Sequence, residues 1–178
     1  METADVEYDN RSGVLVDDYL RSVSNPEVYA AGDAAAAGPP LSPVAGAQGP
    51  IVADNLLGKD RRQPDYLSTP SVVFATPTLA KVGYLEQEAR DHGIDAEVIV
   101  NDMSGWLDNR RFGLKFAKSK VLVEKATHKI VGAHLISYRA EDHINIFSLA
   151  IEHGLTTEQL KSPIFAYPTG SDHLRSMF

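Results

Sequence analysis

Two apolar runs, Lys120-Val121-Leu122-Val123-Glu124-Lys125 and Ile130-Val131-Gly132-Ala133-His134-Leu135-Ile136, are joined by the polar link Ala126 to Lys129 and read as a β-hairpin. A hairpin commits its sheet to antiparallel pairing. Upstream, Ser71 to Ala75 is a strand, Leu85 to His92 a short helix closed by Gly93, and Ala96 to Val100 another strand. Downstream, from Ala140 to His153, the residues Ile144, Phe147, Ser148 and Ile151 recur at spacings of three and four, with Gly154 as the stop. That period defines an amphipathic helix whose inner face covers the sheet. A short helix follows at Thr156, with Thr157 and Glu158 in its first turn, and a last helical turn lies beyond Tyr167-Pro168. The expected fold class is α+β, an antiparallel sheet with helices packed on it.

The first part of the chain has a different texture. Gly13 to Val16 and Val28 to Ala31 read as short strands, and the second, small and apolar, suits a covered central strand that stops at Gly32-Asp33. Ala34 to Pro40 is a small, flexible link. Leu41-Ser42-Pro43 then announces a helix, with Ser42 as N-cap and Pro43 at the first helical position, running through Ala53, Leu56 and Leu57 to a stop at Gly58. Lys59 to Asp65, charged and proline-containing, is the expected linker. The reading gives two parts, residues 1–60 and 68–178.

Composition removes several classes of function. With 43% hydrophobic and 23% charged residues in 178, the chain can bury a core and is not of the disordered type. The 17 basic and 24 acidic residues leave a formal charge of −7, and basic residues occur at most in pairs, so the clustered positive charge that nucleic acid demands is missing. No apolar run reaches the length of a membrane span, and acidic residues stand near the start where a signal peptide needs positive charge. The expectation is a cytoplasmic protein without nucleic-acid or membrane partners. There is no cysteine, which excludes disulfides, thiolate metal sites and thiol nucleophiles within this chain. The six histidines show no metal-ligand spacing, and no metal site is expected. Trp106 to Arg111 reads as a solvated loop with one buried aromatic; the alternative places Arg110 or Arg111 beside an anionic substrate or cofactor phosphate.

The chemical signal lies in two places. A carboxylate after a small-residue strand, Asp33 behind Gly32, can accept hydrogen bonds from a cofactor's hydroxyls. Eight residues on, the helix beginning at Leu41-Ser42-Pro43-Val44-Ala45 offers free amides and the positive end of its dipole to negative charge. Together, Val28-Tyr29-Ala30-Ala31-Gly32-Asp33 and Leu41-Ser42-Pro43-Val44-Ala45 resemble the last flavin-contacting segment of the pyridine-nucleotide disulfide oxidoreductases, the glutathione reductase, lipoamide dehydrogenase and mercuric reductase family. The resemblance implies FAD, with Asp33 on its ribityl chain and the helix start, Leu41, Ser42 and Val44, directed at the isoalloxazine beside the Gly32 turn.

Further runs are similar to that family's dimerisation domain: Val72-Val73-Phe74, Ala80-Lys81-Val82-Gly83-Tyr84, Ile130 to His134, and Ala150-Ile151 with Gly154-Leu155-Thr156. The family closes on His-Pro-Thr and an acidic residue, which reach the partner subunit's flavin site. Here the segment is Tyr167-Pro168-Thr169-Gly170-Ser171-Asp172, with tyrosine for the histidine and aspartate for the glutamate. The implied catalytic residues are therefore Tyr167 and Asp172. A phenol of pKa near 10 is a hydrogen-bond donor at neutral pH, where an imidazole would exchange protons. The Gly-x-Gly-x-x-Gly fingerprint and the family's cysteine pair are absent, and both would lie upstream in a full-length relative. The resemblance implies a C-terminal remnant of a Rossmann-like FAD-binding domain followed by a dimerisation domain. It also implies a homodimer, NAD(P)H as the parent's co-substrate, and no catalysis by this chain alone. The competing expectation is a self-contained dimerising module without redox activity.

Overall fold

In the computed structural model, which describes residues 4–58 and 61–178, the chain divides between Tyr66 and Leu67 into two units. Lys59 and Asp60, where the expected linker begins, lie outside the described residues.

In the first unit, β1 (Tyr8–Asp9) pairs antiparallel with β2 (Gly13–Val14), and the one long element is α1 (Ser42–Leu56). Leu20, Val14, Ala35, Val44 and Ile51 form its buried apolar set. Gly13 is required at its turn: its φ is +96°, and a β-carbon there would overlap the carbonyl of Ala34. Val28 to Ala31 is not the strand expected from its composition. It makes a single bridge, Tyr29 to Arg21, and loop bonds such as Ala30 N–H to the Leu20 carbonyl at 3.1 Å. A covered central strand needs ladder partners on both sides, and among the described residues of this unit Val28 to Ala31 has that one bridge. Ala34 to Pro40 is not a loose link either, because Ala35 is buried and Val14 pairs with it in a parallel bridge. At the far end of α1, Gly58 adopts φ +63° as the expected stop.

The second unit runs β3 (Ser71–Val73), β4 (Thr78–Gly83), α2 (Glu86–Asp91), β5 (Ala96–Asp102), α3 (Leu107–Arg111), β6 (Lys118–Glu124), β7 (Ile130–Ser137), α4 (Ala140–Glu152) and α5 (Thr157–Lys161), then a 3₁₀ turn over Gly170–Ser176. Its five strands form one antiparallel sheet in the order β3-β4-β7-β6-β5. Side chains alternate across the pleat, so Ala80, Val82, Val121, Val123, Ala133 and Leu135 share one face. Those residues join Ile144, Phe147 and Ala150 of α4, all 0% exposed, in one core. Cross-strand neighbours Lys81, His134 and Lys120 lie on the opposite face, with Lys120 Nζ held 2.9 Å from Glu86 of α2.

Two elements depart from expectation. β4 is a full six-residue strand paired with both β3 and β7; Ala80 and Lys81 at its centre are poor strand formers, and the family-like run at Ala80 conceals a strand that propensity does not announce. Trp106 to Arg111 is no solvated loop. Trp106 is the N-cap of α3, and Asn109 is buried, donating from Nδ2 to the Met103 carbonyl at 2.9 Å while its Oδ1 accepts from Tyr138 N–H at 3.0 Å. That bridge fastens α3 to the end of β7, satisfying polar groups that burial would otherwise penalise.

Candidate functional site

In the first unit the Gly32 turn and the start of α1 come together. Gly32 has φ +65°, and a β-carbon on it would stand 3.0 Å from that of Ala45, so the turn lies directly on the first turn of the helix. Only glycine meets both conditions without strain. Asp33 follows in the 3₁₀ turn Gly32–Ala34, its side chain exposed.

The helix start is built differently from the expectation for Ser42. Leu41, extended at φ −132° and ψ 137°, is the N-cap, and its carbonyl accepts the first intrahelical bond from Ala45 N–H at 3.1 Å. Ser42 and Pro43 therefore occupy the first two helical positions, and no side chain caps the end. Ser42 is displaced from the cap because its own backbone is already helical, while Leu41 supplies the extended geometry. Pro43 has no N–H, so the amides of Ser42 and Val44 precede the first intrahelical bond. Val44 contributes nothing through its side chain, which is 5% exposed and packs inward; only its amide can serve a ligand.

Gln48 holds this arrangement, and sequence reasoning passed over it. It is 0% exposed. Its Oε1 accepts from Gly32 N–H at 2.6 Å, and its Nε2 donates to the Ala37 carbonyl at 3.1 Å and to the Tyr66 hydroxyl at 2.7 Å. Val44, Gln48 and Ile51 fall at spacings of four and three on the buried stripe of α1, and a glutamine in an apolar stripe was the signal available. Gln48→Leu keeps the volume but orphans the Gly32 amide. The expected loss is about 1–3 kcal/mol, seen as faster amide exchange over Gly32–Ala37 while the second unit's sheet is unchanged.

In the second unit the closing segment carries both Tyr167 and Asp172. Thr169 Oγ1 donates to the Ala166 carbonyl at 2.6 Å and Asp172 N–H to the Thr169 carbonyl at 3.2 Å, a local turn that fixes the spacing between the two residues. Tyr167 is 76% exposed, whereas Leu174 and Met177 beyond it are buried in the core. The segment is thus anchored at its end and presents its phenol outward. Between it, α3 and the start of α4 lies a cleft of about 560 Å³, lined by Asp108, Arg111, Tyr138, Arg139, His143 and Thr169 among others. Arg139 is paired with Asp142 at 2.7 Å. His143 is 8% exposed, and burial holds its imidazole below the ordinary histidine pKa.

Among the described residues no group of three or more histidine, cysteine, aspartate or glutamate side chains is arranged to hold a metal ion, and no helix is long and apolar enough to cross a membrane.

Residues 69–178 match the family model described as the pyridine nucleotide-disulphide oxidoreductase dimerisation domain, and residues 1–49 match the one described as pyridine nucleotide-disulphide oxidoreductase. The chain is 46% identical over 168 residues to an uncharacterized 19.7 kDa protein in a mercuric resistance operon of Staphylococcus aureus, covering 94% of this chain and 93% of that protein. It is 35% identical over 179 residues to mercuric reductase of Staphylococcus aureus and 34% identical over 171 residues to dihydrolipoyl dehydrogenase of Bacillus subtilis. It covers 32% and 35% of those two proteins, and they cover 98% and 95% of it. Among solved structures it is similar to the HOCl-induced flavoprotein disulfide reductase RclA from Escherichia coli, with a TM-score of 0.85 at 28% identity, covering 99% of this chain and 40% of that one.

Proposed function

Because the chain belongs to the pyridine nucleotide-disulphide oxidoreductases, we propose that it forms the flavin-facing end and the dimerisation domain of an FAD-containing, NAD(P)H-dependent oxidoreductase working in the cytoplasm. The observation that carries this reading is the Gly32 turn seated on the start of α1, where two uncapped amides stand beside an exposed carboxylate. Those groups fit a flavin: Asp33 would accept from the ribityl hydroxyls, and the amides of Ser42 and Val44 would stabilise negative charge on the ring. FAD held there would supply the redox chemistry with NAD(P)H. This chain's residues bind and orient it, and Gln48 keeps the turn in place.

The closing segment serves the partner subunit in the proposed homodimer. Tyr167 acts there as a neutral hydrogen-bond donor, and Asp172 orients the turn that carries it. In this chain alone the amides and Asp33 provide too few contacts to retain FAD, and catalysis belongs to the longer parent protein.

Flavin retention tests the reading. In the proposed parent protein, Asp33→Ala removes a charge-assisted bond worth about 1.5–3 kcal/mol, so FAD should dissociate at least tenfold more readily on dilution. Unchanged retention would remove Asp33 from the site.

One observation favours a second reading. The 19.7 kDa relative matches over nearly its whole length, so a protein of this span exists separately, which suits a self-contained dimerising module.

A further inference from the structure

We propose that His143 is a positioning residue that seats the closing segment by a size-matched contact with Gly170, and that protonating His143 unseats it. This rests on the reading above only in that the segment seated bears Tyr167 and Asp172; the seat is a property of this chain. A β-carbon built on Gly170 would overlap Cε1 and Nε2 of His143 and come within 3.3 Å of Asp108 Oδ2. The backbone at Gly170 therefore packs directly against an imidazole that is itself buried on α4. Gly170 has no positive φ, so the space taken by the ring, and not backbone geometry, is what demands glycine here. Three residues along the segment, His173 packs on Trp106 at the head of α3, ring centroids 5.2 Å apart, and its buried Nε2 has no hydrogen-bond partner among the described residues. Two imidazoles, His143 on α4 and His173 on the segment, thus belong to the same seat.

The charges around His143 oppose one another. Burial disfavours its protonation most, with Arg139 at the head of α4 and His173 on the closing segment acting in the same direction. Asp142 on α4 and Asp108 on α3 favour protonation, and Asp142 is already engaged by Arg139. Arg111 of α3 lines the same cleft and adds positive charge on that side. The balance holds His143 neutral while the segment is seated. Unseating exposes the ring and returns it to its ordinary pKa of about 6.5. The released state then binds a proton that the seated state refuses, so the seat is complete above about pH 6.5 and weakens as pH falls below that value.

Trp106 is the sole tryptophan in the chain and reports on the seat directly. The experiment records its emission in the 178-residue chain as pH is lowered from about 8 to about 5, with far-ultraviolet circular dichroism to confirm that the sheet persists. Wild type should shift to the red as the acid limb is entered. His143→Gln, which cannot titrate, should keep its neutral-pH emission across that range. Gly170→Ala should be red-shifted already at neutral pH, and adding His143→Ala should restore the wild-type emission there by making room for the new methyl. Wild-type emission in Gly170→Ala, failure of the double variant to restore it, or a full acid shift in His143→Gln would each overturn the proposal. Because emission reads the seat and not flavin binding, loss of the acid shift would overturn this proposal alone, whereas absence of flavin from the longer parent protein would overturn the flavin reading alone.

Discussion

Phe147→Ala should destabilise Leu67–Phe178 by about 3–5 kcal/mol. The ring is 0% exposed and lies on the inner stripe of α4, packed into the same core as the sheet residues Val82, Val121 and Leu135. It also reaches the C-terminus, with its ring centroid 6.1 Å from that of Phe178. A cavity bounded by a helix, a sheet and the chain's end collapses poorly, because closing it means moving all three. That places the cost at the upper part of the usual range for a large-to-small change. In thermal unfolding followed by circular dichroism, the midpoint of this unit should fall by more than about 10 °C. A loss under about 1 kcal/mol would mean that α4 does not cover the sheet through this residue.

The second large effect concerns self-association. The proposed homodimer requires about 2,000 Å² or more of buried surface in total, and the second unit exposes apolar residues suited to that on two surfaces. Val73, Leu79 and Val100, at 58, 46 and 59% exposure, lie on the sheet face opposite α4, and Leu149, at 59%, lies on the outer side of α4. An arginine placed in the covered surface becomes an unpaired buried charge, costing about 3–5 kcal/mol. Sedimentation equilibrium should therefore show a dimer at micromolar concentration for the wild-type chain. Whichever of Leu79→Arg and Leu149→Arg falls in the interface should weaken it by about 100-fold or more. Association that survives both substitutions would place the interface elsewhere than on these two surfaces.

How much of this was legible in the sequence depends on how a residue's role is encoded. The hairpin of β6 and β7 and the helix α4 are legible because their periods differ and their apolar residues are large. Thr156 likewise declares its helix: it caps α5, with Gln159 completing the capping box. β4 is not legible from propensity, since Ala80 and Lys81 at its centre are poor strand formers, although Val82 beside them points inward. α3 is hidden because its only buried residue, Asn109, is polar, and polarity reads as a loop until a partner such as Tyr138 N–H is known. Val28 to Ala31 misleads in the opposite sense, its small apolar residues suiting a ladder that the unit does not build around it.

The candidate site divides the same way. Gly32, Asp33 and the helix start are adjacent in sequence and stay adjacent in space. Gln48 acts sixteen residues from Gly32, and His143 meets Gly170 across the span of α5; such pairings depend on tertiary packing that no local pattern specifies. Ser42 shows the limit of motif reasoning at a single residue. A Ser-Pro pair suggests a cap and a first helical position, yet the cap moved back to Leu41 once the backbone conformation decided it.

The visible absorption spectrum of the proposed parent protein, taken before and after addition of NADH or NADPH, tests the central claim most directly. The expected result is the bands of bound oxidised flavin, bleached by the nicotinamide and restored in air. A protein that carries this chain, sediments as a dimer and shows no flavin absorption before or after reconstitution with FAD would contradict it, and would leave the chain a dimerising module without a redox role.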